Sequence, residues 1–313
     1  MKIVVAEPLH VSDGELDEDI RRTLPGDVQV VRYQDRPADD AEYARRVRDA
    51  DVIVIANMPL RQNILQQCDH LRMVSIGFVG YDHVDVDYCH GHGIMVANSP
   101  TYPTQAVAEL AIGLTLSLLR DLITADHSVR SGGTAAGLTG AQIAGRVFGV
   151  IGTGRIGQAT AALARAFGAT TIGFNHSGHP VDGIKIVGLD ELLHRSDIVS
   201  VHVPLTPHTE HLIDGQRLAQ MKPGALLINT ARGPVVDNDA LARALSDGTI
   251  AGAGLDVFNT EPPLPADTPI LHAPHTVLTP HIGFDTTEAL SFRARQVLGN
   301  IASWLHNKPE HTV

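Results

Sequence analysis

Gly152, Gly154 and Gly157 stand in the run Val147-Phe148-Gly149-Val150-Ile151-Gly152-Thr153-Gly154-Arg155-Ile156-Gly157, a G-x-G-x-x-G spacing. An apolar strand pattern precedes the run and a helical pattern over 158–167 follows it. In that context each glycine has its own reason: a tight turn, close approach of backbone to a pyrophosphate, and packing of helix on strand. The helix start then presents free N–H groups and the positive end of its dipole to phosphate. The run therefore predicts a dinucleotide site. A second strand over 170–174 should end at the ribose, where an NAD-selective site carries Asp or Glu. Asn175 occupies that position, followed by His176 and Ser177. A neutral amide does not repel a 2′-phosphate, yet no arginine stands beside it to bind one. The choice between NAD and NADP stays open.

Three later segments carry groups suited to acid–base and anion chemistry. Asn229-Thr230-Ala231-Arg232-Gly233-Pro234-Val235-Val236-Asp237 follows a strand pattern over 225–228. Gly252-Ala253-Gly254-Leu255-Asp256-Val257-Phe258-Asn259-Thr260-Glu261-Pro262 begins as another strand. Leu278-Thr279-Pro280-His281-Ile282-Gly283 closes the series. Each candidate lies at or past the carboxyl end of a strand, where open α/β sheets bind ligands.

These segments, the glycine run and Val201-His202-Val203-Pro204-Leu205-Thr206-Pro207-His208-Thr209 resemble the D-isomer-specific 2-hydroxyacid dehydrogenases over nearly the whole chain. The resemblance implies hydride transfer between a nicotinamide cofactor and C2 of a small D-2-hydroxy acid or 2-keto acid. It makes Arg232, Glu261 and His281 the catalytic set. Side-chain chemistry supports those roles separately. A guanidinium fork can hold a carboxylate and the neighbouring C2 oxygen together. A histidine can exchange the C2 proton near neutral pH, and a carboxylate beside it favours the imidazolium and fixes its tautomer.

The resemblance also implies cofactor contacts. Arg155 and Ile156 would meet the pyrophosphate, and Val203, Pro204 and Thr209 the adenosine and phosphate side. Thr230 and Ala231 would flank the nicotinamide ribose. Asp256 would accept from the carboxamide, with Arg232, His281 and Gly283 close to the ring. On the substrate side, the loop Ser75-Ile76-Gly77-Phe78-Val79-Gly80-Tyr81 would hold a carboxylate on the N–H groups of Val79 and Gly80, and Asn57 ends the preceding strand facing the pocket. Phe284 stands where many relatives have a small residue, so a ring turned inward would wall the pocket near C3. Residues 128–147 hold no Trp, which argues against a hydroxypyruvate assignment, and Val79 replaces the lysine of phosphite dehydrogenases. With no domain following the last helix pattern, a long-form phosphoglycerate dehydrogenase is not expected. Two alternatives are a formate- or phosphite-type dehydrogenase and a non-catalytic NAD-sensing, corepressor-like binding protein; fold alone does not separate them.

The positioning elements follow from the alternation of short apolar runs with helical patterns, which predicts α/β architecture and parallel sheets. Strands are expected near 3–6, 28–33, 52–56, 73–76 and 94–97, and a helix over 40–49. Asn98-Ser99-Pro100-Thr101-Tyr102-Pro103 reads as a stiff hinge before a helix over 104–126. Residues 131–134 read as a loop, and a helix over 286–307 as a return to the first domain, burying Leu290, Phe292, Val297, Leu298 and Ile301. The expected fold is two doubly wound parallel-sheet domains. A Rossmann cofactor domain at 99–284 is inserted into a discontinuous flavodoxin-like substrate domain at 1–98 plus 285–313.

Composition narrows the rest. The chain has 313 residues and a formal net charge of -11, which disfavours binding to nucleic acid or an anionic membrane surface. The most apolar helix pattern, 105–119, contains Glu109 and falls short of the roughly 20 residues of a membrane span. Only two cysteines occur, Cys68 and Cys89, which suits a reducing cytoplasm rather than a disulfide scaffold. Cys89-His90-Gly91-His92 lacks a distant matching pair, so it reads as a solvated loop and no metal is expected. A homodimer and a cytoplasmic location complete the expectations.

Overall fold

The computed structural model describes residues 1–313. The chain divides into two compact units, Met1–Pro103 with Asp285–Val313, and Thr104–Phe284.

The first unit contains strands β1 (Lys2–Val5), β2 (Gln29–Arg32), β3 (Val52–Ile55), β4 (Met73–Ile76) and β5 (Met95–Ala97). They pair in the order β2-β1-β3-β4-β5, all parallel, as the flavodoxin-like expectation requires. Every residue of β3 and β4 is buried. Central parallel strands are covered on both faces, which is why β3 reads as an unbroken apolar run and β4 as one interrupted only by Ser75, whose Oγ donates to Val297 O at 3.0 Å. Helices α1 (Asp13–Thr23), α2 (Asp40–Val47), α3 (Gln62–Leu65) and α4 (Val86–Gly91) connect them. The Thr287–Leu305 helix returns to this unit and packs Ala294, Val297, Leu298 and Ile301 against Ile3, Val52, Val54 and Met73. Phe292 does not join that core: it is 43% exposed, because it lies off the 290–294–297–301 stripe. The Cys89 segment also departs from expectation. It is helical, capped by the Asp85 carboxylate accepting from Tyr88 N–H, with Cys89 buried and His92 stacked on Tyr88.

The second unit begins with α5 (Thr104–Leu119) and α6 (Leu122–Arg130). A single helix over 104–126 was the reading from sequence; the structure breaks it at Asp121, whose φ is 47°. The cause is distant in sequence. Ala141 N–H donates to Leu119 O at 2.7 Å, capping the carbonyl end of α5. Strands β6 (Val147–Ile151), β7 (Thr170–Phe174), β8 (Lys185–Ile186), β9 (Ile198–Val201), β10 (Leu226–Asn229), β11 (Gly252–Leu255) and β12 (Thr276–Leu278) form one parallel sheet, ordered β12-β11-β10-β9-β6-β7-β8. Its order reverses at β6, the strand that carries the glycine run. Helices α7 (Arg155–Ala166), α8 (Leu189–Arg195), α9 (Gly215–Leu218) and α10 (Asn238–Ser246) cover it together with α5. Its two faces hold separate cores, one around Val199, Leu227 and Leu255 and one around Phe148, Val150 and Ile228.

One carboxylate ties this sheet together at its amino end. Asp197 accepts from Val147 N–H at 2.8 Å and from Lys222 Nζ at 2.8 Å. Burial pushes its carboxyl up, but the Lys222 and Val147 hydrogen bonds outweigh that and the net shift is downward. A depressed folded-state value stabilises above the unfolded carboxylate range and is lost as pH falls through the folded value. Asp197→Ala should therefore lower stability at pH 7 by about 1–2 kcal/mol, or about 2–4 °C in Tm. The gap from the parent should close in scans below about pH 4. A gap unchanged down to pH 2.5 would contradict the assignment.

Candidate active site

The glycine run turns at the carboxyl end of β6, and the three glycines do three different things. Gly152 has φ 95°, and a Cβ there would collide with His202 O. A Cβ on Gly157 would overlap Gly152 O, so helix and turn touch backbone to backbone. A Cβ on Gly154 would meet nothing within 4 Å. That open side lies at the N-terminus of α7, with Arg155 and Ile156 in its first turn, where free backbone N–H groups can meet an anion. His202 lies under the turn, its Nε2 2.8 Å from Ser200 Oγ. Burial holds its imidazole down at about 3, so it stays neutral at physiological pH.

Asn175 follows directly on β7. Its Nδ2 donates to Thr153 Oγ1 at 2.8 Å and to His179 O at 3.0 Å. Ser177 Oγ donates to its Oδ1 at 3.2 Å. The amide is thus tied to both the glycine turn and its own loop. Val203 and Pro204 follow β9, and Thr209 Oγ1 donates to Pro204 O at 2.6 Å while accepting from Thr206 N–H at 2.8 Å. Thr209 therefore shapes this loop. Thr230 is 9% exposed, and its Oγ1 is buried without a protein partner.

Arg232 sits just past β10. Asn229 at the strand end accepts from Ala231 N–H at 3.0 Å and donates to Arg232 O at 3.0 Å, fixing the turn from which Arg232 departs. Gly233 lets this turn approach the next one, because a Cβ there would overlap the backbone of Phe258. Asn229 and Gly233 were not singled out from sequence, although an Asn closing a buried strand is a known way to satisfy a turn.

His281 and Glu261, twenty residues apart, meet: His281 Nδ1 lies 2.7 Å from Glu261 Oε1. His281 is 14% exposed on its side chain and Glu261 64%. A carboxylate on Nδ1 leaves Nε2 to carry the exchangeable proton. His281 has φ 55°, unusual outside glycine, and is held there by Asp256. The Asp256 carbonyl accepts from His281 N–H at 2.8 Å. The Asp256 carboxylate accepts from Thr279 Oγ1 at 2.6 Å, Ile282 N–H at 2.9 Å and Gly283 N–H at 2.8 Å. Burial pushes that carboxyl up and the three donors pull against it. Asp256 is therefore a clamp on the 279–283 loop. The Phe284 ring stands edge-on to His281 with centroids 5.7 Å apart.

In the first unit, Asn57 is half-buried and its Oδ1 accepts from Arg36. The loop around it is braced by buried Glu7, which accepts from Ala56 N–H at 2.7 Å and Met58 N–H at 2.8 Å. Val79 and Gly80 are half-buried. A separate cavity of about 250 Å³ opens beside β1 and β2, lined by Glu7, His10, Asp13 and Arg32, and takes in none of the predicted site residues.

A dinucleotide fits the second unit on three of these observations: the open side of Gly154, the start of α7, and the orphaned Thr230 hydroxyl. Comparison with known proteins bears on the same residues. The family model of the D-isomer specific 2-hydroxyacid dehydrogenase NAD-binding domain matches residues 112–283. The chain is 38% identical over 290 residues to a glyoxylate reductase of Thermofilum pendens, covering 89% of this chain and 85% of that one. It is 32% identical to a hydroxypyruvate reductase of Blautia hydrogenotrophica, covering 100% and 99%. It spans about half the length of the D-3-phosphoglycerate dehydrogenases it matches. Among solved structures it resembles an acyclic imino acid reductase in complex with NADPH and D-Arg, at TM-score 0.91, 32% identity and full coverage of both chains. Motifs, sheet order and the match over the nucleotide-binding half agree, and the chain belongs to the D-isomer specific 2-hydroxyacid dehydrogenase family.

Proposed function

We propose that the protein reduces a small 2-keto acid to its D-2-hydroxy acid, with His281 as acid and base, Glu261 as its partner and Arg232 as the substrate-binding cation. The observation that carries this reading is the 2.7 Å His281–Glu261 pair on a loop clamped by Asp256. The bound nicotinamide supplies hydride to C2. His281 Nε2 gives a proton to the C2 oxygen in reduction and takes it back in oxidation, while Glu261 steadies the charged ring. Arg232 binds carboxylate and C2 oxygen through its fork. The Val79 and Gly80 N–H groups, with no acceptor in the protein, bind a substrate carboxylate, Asn57 is a further substrate-binding residue, and Phe284, edge-on to His281, walls the substituent at C3. Gly152, Gly154, Arg155, Ile156 and Gly157 hold the pyrophosphate. Asn175, Val203, Pro204 and Thr209 hold the adenosine side. Thr230, Ala231, Asp256 and Gly283 surround the nicotinamide. The formate- or phosphite-type and corepressor-like alternatives have no specific observation in their favour.

The test is a panel of glyoxylate, hydroxypyruvate, pyruvate and bulkier 2-keto acids with NADH and with NADPH. Reduction of at least one acid is expected, and none with either cofactor would defeat the proposal. Both cofactors should support turnover, since Asn175 neither repels nor binds a 2′-phosphate. Asn175→Asp should raise the NADH/NADPH preference about tenfold or more, through like-charge repulsion and a new acceptor for the 2′-hydroxyl. A parent enzyme that rejects NADPH would contradict this account of the β7 end.

We assign the protein to the cytoplasm on its two free, buried cysteines. No helix is long and apolar enough to cross a membrane. A homodimer fits α6, none of whose residues is buried and whose Leu122, Ile123 and Val129 are 49%, 61% and 73% exposed. Light scattering should give twice the chain mass.

A further inference from the structure

The N–H groups of Val79 and Gly80 donate to no acceptor within the protein, and both residues are only half-buried. What aims them can be read from the carbonyls behind them. Phe78 C=O shares a peptide unit with Val79 N–H, and Val79 C=O shares the next with Gly80 N–H. A trans peptide is planar, with C=O and N–H pointing in opposite directions. Holding the carbonyl therefore sets the direction of the N–H.

Both carbonyls are held by adjacent residues. Ser99 N–H donates to Phe78 O at 3.0 Å, and Asn98 Nδ2 donates to Val79 O at 2.6 Å. The two N–H groups are turned away from the 98–99 segment together. Ser99 is further anchored by its Oγ donating to Ile76 O at 2.9 Å. Asn98 is itself fixed from behind. Its N–H donates to His311 O at 3.0 Å, and its carbonyl accepts from Asn300 Nδ2 at 2.8 Å. Asn300 Oδ1 in turn lies 2.9 Å from His311 Nδ1. Next to this, Thr312 bridges Ala97 antiparallel and Val313 N–H donates to Val96 O at 3.1 Å. Asn98, Ser99 and Asn300 are 7%, 0% and 2% exposed, so water does not compete for these bonds.

We propose that Asn98, backed by Asn300 and His311, is a positioning residue that aims the Val79 and Gly80 N–H pair at the substrate carboxylate. The proposal rests on the carboxylate reading given above. Asn98 acts through the Val79–Gly80 peptide plane, and its neighbour Ser99 through the Phe78–Val79 plane. Residues 300 and 311, more than two hundred positions from the loop in sequence, thereby tune acid recognition.

The experiment compares the parent, Asn98→Ala and His311→Ala, each saturated with NADH. It measures inhibition of glyoxylate reduction by oxamate, which carries a carboxylate, and by oxamide, its neutral counterpart. In the parent, oxamate should bind much more tightly than oxamide. Asn98→Ala should weaken oxamate and raise the KM for glyoxylate by about tenfold, the loss of one buried hydrogen bond, with oxamide affinity, kcat and NADH affinity little changed. His311→Ala should move the oxamate/oxamide ratio the same way by about threefold, and His311→Gln, which can still donate to Asn300, should restore it. A folded Asn98→Ala protein that keeps the parent ratio, or loses both inhibitors equally, overturns the positioning role. If Asn98→Ala does not fold, an unchanged ratio in His311→Ala overturns it. A parent that binds oxamate no better than oxamide is a different failure: it removes the carboxylate from the Val79–Gly80 loop altogether.

Discussion

His281→Ala is expected to lower kcat by about 100-fold or more while NADH affinity stays nearly unchanged. The expectation comes from geometry. His281 is presented in a left-handed backbone conformation by three successive N–H groups bonded to Asp256, and its Nδ1 faces Glu261. An alanine keeps the loop bonds, which are all to backbone and Asp256, and removes only the ring. The loss should therefore fall on the proton-transfer step. Glu261→Gln is the companion variant. It keeps an acceptor near Nδ1 but removes the carboxylate charge that steadies the ring in the transition state, so kcat should fall, by less than in His281→Ala, with NADH affinity little changed. Normal turnover in His281→Ala would take the residue out of the mechanism, and an unchanged kcat in Glu261→Gln would dissolve the pair.

Arg232 should show a different signature. Arg232→Ala is expected to cost about 1,000-fold in kcat/KM for a 2-keto acid, as one partner of a desolvated ion pair is lost at about 3–5 kcal/mol. Arg232→Lys should recover only part of this, since an ammonium offers a point charge where the guanidinium offers a fork. Because Asn229 and Gly233 fix the turn through backbone contacts, neither variant should alter NADH affinity much. Added guanidinium should partly rescue Arg232→Ala. Full activity in the lysine variant would mean that charge alone is needed and that the bidentate reading is wrong.

The parts of this molecule that were legible from sequence are those where a local rule is not overridden. The glycine run was readable because strand, turn and helix start are contiguous, and the structure gives Gly152 and Gly157 steric reasons to lack a side chain while Gly154 stays open on its outer side. The parallel sheets were readable from apolar runs such as β3 and β4, buried at every position. What sequence concealed depends on contacts between distant residues. The helix expected over 104–126 breaks at Asp121 because residue 141 caps Leu119. Cys89 lies in a helix whose start is set by the Asp85 side chain rather than by apolar spacing. Phe292 is apolar but off the packed stripe, a distinction that needs the helix phase relative to the sheet. Asp256 was expected at the carboxamide; its clamp on Thr279, Ile282 and Gly283 requires knowing that the loop folds back over β11. Asn98 and Ser99 read as hinge punctuation, and only the folded loop brings the Phe78 and Val79 carbonyls to them.

The central claim is hydride transfer to C2 with formation of the D acid. The direct measurement uses NADH carrying deuterium at both C4 positions, with pyruvate and hydroxypyruvate as acceptors, and resolves the product by chiral chromatography and mass spectrometry. The account predicts one deuterium per product molecule, located at C2, in the D-2-hydroxy acid alone. Product of L configuration or deuterium absent from C2 would contradict it.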